Sequence, residues 1–120
     1  MDGVTVLLRL EGAALAVVSL CAYFWFGQSW WLFAILLLAP DLSMLGYLAG
    51  PRFGAWAYNA AHMTLPPLAL AVAGSAFESP VATAIAIIWL AHIGIDRALG
   101  YGLKRESGFR DTHLGRIGRD

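Results

Sequence analysis

Four apolar stretches, near residues 5–26, 30–49, 54–73 and 80–100, fill most of this 120-residue chain, with only short breaks between them. Each approaches the ~20 residues an α-helix needs to cross a ~30 Å hydrocarbon core. Such a chain has no room for a separate water-facing domain. The composition agrees: 59% of residues are hydrophobic and 13% charged, against about 25% charged in soluble domains. The expected fold is all-α, a four-helix transmembrane bundle over 1–103 followed by a short polar tail at 104–120. Glu11 interrupts the first stretch and no basic residue precedes Arg9, so the first helix reads as retained rather than as a secretory signal. The lone Cys21 excludes an internal disulfide and leaves the redox compartment undetermined.

Charge sets the expected orientation. The basic residues are Arg9, Arg52, Arg97, Lys104, Arg105, Arg110, Arg116 and Arg119. Threading four helices up, down, up and down puts all of them at one rim, because the breaks near 27–29 and 74–79 contain no Lys or Arg. Short loops follow the positive-inside rule, which predicts a multi-pass inner-membrane protein with both termini cytoplasmic. Trp25, Trp30 and Trp31 flank the outer break as interfacial anchors. Proline punctuates the helices. Pro40-Asp41 should break or kink the second, Pro66-Pro67 should kink the third in its middle, and Pro80 opens the fourth.

The same threading gathers polar groups on the basic side. Glu11, Asp41, His62, His92 and Asp96 fall in the cytoplasmic parts of four different helices, and His92 and Asp96 share a face at i,i+4. Ionisable groups at membrane depth are costly and usually functional. Helical bundles build metal sites from inward carboxylate and imidazole side chains. Thiolates are absent from this set, so Zn, Mn or Fe suits it better than Cu(I) or an iron–sulfur cluster. The expected assignment makes His62, His92 and Asp96 the metal ligands, with Glu11 or Asp41 as general base. The chemistry would be metal-assisted hydrolysis of a lipid or phosphoryl substrate. Structural readings stand beside it: a His92–Asp96 helix pair, Asp41 as a helix cap, a Glu11 salt bridge to Arg97 or Arg52, and His62 as an interhelical hydrogen-bonder. No His-Glu-x-x-His motif is present.

The tail concentrates Lys104, Arg105, Arg110, Asp111, His113, Arg116 and Arg119. Its default role is contact with the anionic headgroups of membrane lipids. A sharper alternative folds Asp111 and His113 back over the bundle mouth, with Arg110 or Arg116 binding a phosphate. It is expected to form a flap or short surface helix. Nucleic-acid binding has no support beyond charge.

Several segments together resemble a known family: Leu8-Arg9-Leu10-Glu11-Gly12, Pro40-Asp41-Leu42-Ser43-Met44-Leu45-Gly46-Tyr47, Tyr58-Asn59-Ala60-Ala61-His62, His92 through Lys104, and Phe109-Arg110-Asp111-Thr112-His113-Leu114-Gly115. The chain is similar over nearly its whole length to domain-of-unknown-function family 4260. The resemblance implies a small bacterial four-helix membrane protein and carries no activity. Two other functional classes therefore remain. One is a small proton-coupled transporter acting as a homodimer, with Glu11 exchanging proton for substrate. The other is a non-catalytic membrane assembly subunit whose polar residues only lock helices together.

Overall fold

The computed structural model describes residues 2–105, 108–112 and 114–116. Helix α1 runs Gly3–Phe26 and α2 runs Trp30–Leu36. A 3-10 helix spans Ala39–Ala49. Helices α3 (Pro51–His62), α4 (Leu65–Ala76) and α5 (Pro80–Ala98) follow. Among the described residues, three segments are long and apolar enough to cross a membrane: Gly3–Phe26, Trp30–Ala49 and Pro80–Ala98.

Asp2 caps α1 through the Thr5 N–H at 2.9 Å, and Gly27 ends the helix with φ 80°. Ser29 then caps α2, so the turn between α1 and α2 is as short as expected. Tyr23, Trp30 and Phe33 pack around it with ring centroids 5.0–5.1 Å apart.

Helix α5 is the axis of the bundle, packing against α1 on one side and α4 on another, with α2 alongside. Small residues bring α1 and α5 together. A Cβ added at Gly94 would lie 2.5 Å from the Ala16 nitrogen, and one at Gly12 2.5 Å from the Arg97 Cβ. Small residues at a helix seam permit close backbone approach of this kind, and the tight packing it allows holds the two helices together. The inward face of α1 is consequently Gly12, Ala16, Ser19 and Tyr23, at helical spacing.

Two helices depart from the regular spans expected. At Pro40, which has no N–H for the Leu36 carbonyl, the second helix tightens into i→i+3 bonding, with the Asp41 N–H donating to Leu38 O at 3.1 Å. The break at Pro40-Asp41 is as expected, but the α ladder does not resume. The 3-10 helix continues for 11 residues, where runs beyond three or four are uncommon and often mark function.

The third helix is not one span kinked at Pro66-Pro67. It is two helices of 12 residues each, separated by an extended Met63 (φ −88°, ψ 155°). Pro66 and Pro67 lack the N–H groups that His62 and Met63 carbonyls would need, and they sit in the first turn of α4, where no N–H is required. Each half reaches only ~18 Å at 1.5 Å per residue, so neither crosses the hydrocarbon core alone.

The tail is also not a surface helix. Strands β1 (Lys104–Arg105), β2 (Gly108–Thr112) and β3 (Gly115–Arg116) form an antiparallel meander in the order β1-β2-β3. It packs against α3 and buries Thr112 and Leu114.

The seam between α1 and α5 gives a direct test. Gly94→Leu should destabilise the protein by about 1–3 kcal/mol through overpacking. Gly3→Leu, with nothing within 4 Å of its new Cβ, should leave the melting temperature in detergent nearly unchanged.

Candidate metal centre

Both helix breaks end at the same place. Asp41 opens the 3-10 helix, His62 is the last residue of α3, and His92 and Asp96 lie one turn apart on unbroken α5. One ligand atom from each of the four lies within 4.8 Å of every other. His62 Nε2 is 3.1 Å from Asp41 Oδ1 and 3.5 Å from Asp96 Oδ2. His92 Nε2 is 3.2 Å from Asp41 Oδ1 and 3.1 Å from Asp96 Oδ2. The two Nε2 atoms are themselves 3.1 Å apart.

The other nitrogen of each ring decides what the Nε2 atoms can offer. His62 Nδ1 lies 2.8 Å from the Tyr58 carbonyl, and His92 Nδ1 lies 2.5 Å from the Leu37 carbonyl. A carbonyl only accepts, so each Nδ1 carries the proton and donates it. In neutral imidazole, Nε2 is then a bare lone pair. Metal-ligating histidines are oriented in just this way, by a hydrogen bond from the remote nitrogen.

Surrounding side chains complete the setting. The Tyr58 ring stacks on His62 at 3.7 Å between centroids and 6° between planes. Trp89 Nε1 donates to the Ala61 carbonyl at 2.5 Å, and Arg97 Nη2 to the His62 carbonyl at 3.4 Å. These α5 groups satisfy carbonyls at the end of α3. The tail is fastened beside them: Asn59 Nδ2 donates to Lys104 O at 2.7 Å, and the Lys104 N–H donates to Asn59 Oδ1 at 2.5 Å. Lys104 Nζ then lies 4.7 Å from the Tyr58 ring centre.

Four of the five bundle residues singled out from the sequence are therefore brought together: Asp41, His62, His92 and Asp96. Glu11, expected as a general base or proton carrier, is not among them. It is exposed on α1, next to the Gly12 face that packs on α5. Asp111 and Arg110 lie on β2 and Arg116 on β3, but their side chains, and His113 altogether, fall outside the described residues. Trp89 had no role in the sequence reading, although it stands three residues before His92. Lys104, read there as a headgroup contact, is buried against α3.

Burial pushes the Lys104 ammonium down to about 8, while Asp96 and Asp41 hold it up. Lys104 is the sole lysine in the chain, so its side-chain NMR signal is unambiguous. In chelator-treated protein it should titrate near pH 8, and Asp96→Asn should lower that midpoint further by removing one of the supporting charges.

No curated protein and no solved structure matches the chain. The family model described as a domain of unknown function (DUF4260) matches residues 5–117, so the chain belongs to that family.

Proposed function

We propose that this protein is a membrane-embedded metalloprotein that holds one divalent transition metal ion between His62, His92, Asp96 and Asp41. The observation that carries the reading is the convergence of acceptors. The two Nε2 atoms lie 3.1 Å apart and 3.1–3.5 Å from the Asp41 and Asp96 carboxylate oxygens, with all four atoms within 4.8 Å of one another, and both Nδ1 protons are spent on backbone carbonyls. Four acceptors at this distance repel, and buried charge without a partner is costly. Doubly protonated rings would instead aim two N–H groups at each other. A cation at the centre removes both conflicts. Zn bonds of ~2.0–2.2 Å in a tetrahedron set ligand atoms about 3.3–3.6 Å apart, close to the spacing present. Zinc fits the donor set best; Mn and Fe share its ligand types.

The reaction class that follows is metal-assisted hydrolysis. The side chain of Asp41 is 35% exposed, against 17% for Asp96 and 4% for each His. Asp41 is thus the ligand best able to yield its position to water, leaving His62, His92 and Asp96 as the three-ligand core of a catalytic site. The ion would lower the pKa of that water to about 7. Asp41 would take its proton and pass it to the leaving oxygen. The proposed setting is the inner membrane, with both termini and the metal centre towards the cytoplasmic side and the basic tail near anionic headgroups. Glu11, exposed and apart from the cluster, gives the proton-coupled transporter no comparable support.

Elemental analysis of protein purified without chelators should find about one metal ion per chain, on the one-site coordination argument. His62→Ala and His92→Ala should reduce it to background, and Glu11→Gln should retain it. Metal-free wild-type protein would sink the reading.

A further inference from the structure

An apolar cavity of about 300 Å³ lies beside the cluster, at the lower end of ordinary ligand-pocket volumes. Its walls come from the segments that carry the four ligands: Leu36, Ala39 and Pro40 on one side, Ala61 on the second, Ile85 and Trp89 on the third. Pro40 immediately precedes Asp41, Ala61 precedes His62, and Trp89 stands a turn before His92. The cavity is thus walled by the same three segments, the 3-10 helix, α3 and α5, one residue from Asp41 and one from His62, while the four cluster side chains themselves are not on its lining.

The walls offer almost nothing to a polar guest. Ser43, also on the lining, donates its hydroxyl to the Pro40 carbonyl at 2.7 Å. The Trp89 N–H is taken by the Ala61 carbonyl. A polar molecule entering here would lose its hydrogen bonds to water without replacement, whereas each buried methylene gains about 0.8 kcal/mol. The guest of this part is a hydrocarbon chain. At the cluster end the charge balance changes sign. Asp41 and Asp96 balance a divalent ion, and the Arg97 guanidinium, which donates to the His62 carbonyl, adds positive charge beside them.

We infer that the site takes an amphiphile with one hydrocarbon chain in the cavity and an anionic, oxygen-bearing head on the metal cluster. This rests on the metal reading for the head and on the cavity alone for the chain. The scissile bond of the hydrolysis proposed above would then lie where the two meet, between Pro40 and Asp41 on one wall and Ala61 and His62 on the other.

The test uses full-length, zinc-loaded protein in nanodiscs of zwitterionic lipid and a dodecyl phosphate carrying a diazirine near its chain end. Labelled peptides are located by mass spectrometry. Labelling is expected within 36–43 and 85–89, displaced by dodecyl phosphate but not by equal inorganic phosphate, and weaker for the matching dodecanol probe. Ala39→Leu and Ile85→Trp, which fill the cavity from different walls, should each weaken labelling about tenfold, the loss for excluding about two methylenes, while bound zinc is unchanged. Bound zinc also reports that these variants are folded. Labelling spread over the lipid-facing side of α1 and insensitive to both variants would overturn the inference. So would equal displacement by inorganic phosphate, which would mean an anion site without a chain site. Cavity labelling in protein that binds no zinc would overturn the metal reading and leave the chain site standing.

Discussion

On segments as apolar as these, buried backbone N–H and C=O groups have to find their partners within the protein, and this requirement organises the structure. An unbroken helix meets it alone. This chain breaks two of its helices at prolines, and the backbone groups that a buried break frees have to be met by surrounding protein. Helix α5 supplies what the breaks leave wanting. His92 takes up the Leu37 carbonyl before the 3-10 helix, and Trp89 and Arg97 reach the Ala61 and His62 carbonyls at the end of α3. The hydrogen bond that satisfies the Leu37 carbonyl is the same one that turns His92 Nε2 towards His62. Repairing the backbone and gathering the His/Asp cluster are one arrangement.

That arrangement needs α5 to be straight and firmly held. Its seam with α1, where Gly12, Ala16 and Gly94 allow close approach, provides the fixed side. The opposite side is made from shorter pieces, the 3-10 helix and α3, which pack on each other through Gly46 and Gly54 beneath the Ala57 and Tyr47 side chains. A cluster assembled between a rigid helix and a separately packed pair has ligands whose orientation is held while its mouth, at Asp41, stays partly open. The tail adds a clamp from outside: Asn59 grips the Lys104 backbone, and Tyr58, one position earlier, lies flat on His62.

Much of this was legible in the residues. The apolar stretches predicted membrane-spanning helices, Pro40 predicted the break before Asp41, and the i,i+4 pair His92 and Asp96 does share a face and a 3.1 Å contact. The recognition of Asp41, His62, His92 and Asp96 as one group followed from depth along the helices. Depth says nothing about rotation around an axis, however, and Glu11 differs from the other four in that. It lies at a suitable depth, but the small-residue face of α1 turns towards α5 and leaves Glu11 exposed. The third helix did mislead. Two adjacent prolines are compatible with a kink inside a helix or with the first turn of a new one, and local sequence does not distinguish them.

Sequence by itself determined that the chain forms apolar helices, where prolines would interrupt them, and which ionisable residues share a depth, because these depend on hydrophobicity and on backbone groups a residue has or lacks. The tertiary structure decided which faces meet, that α3 and α4 are separate, that the tail is a meander docked on α3, and that two histidines turn their Nε2 atoms towards two carboxylates. Those outcomes depend on helix rotation and on carbonyls supplied from distant segments, such as Leu37 for His92, and no local pattern encodes a contact 55 residues away.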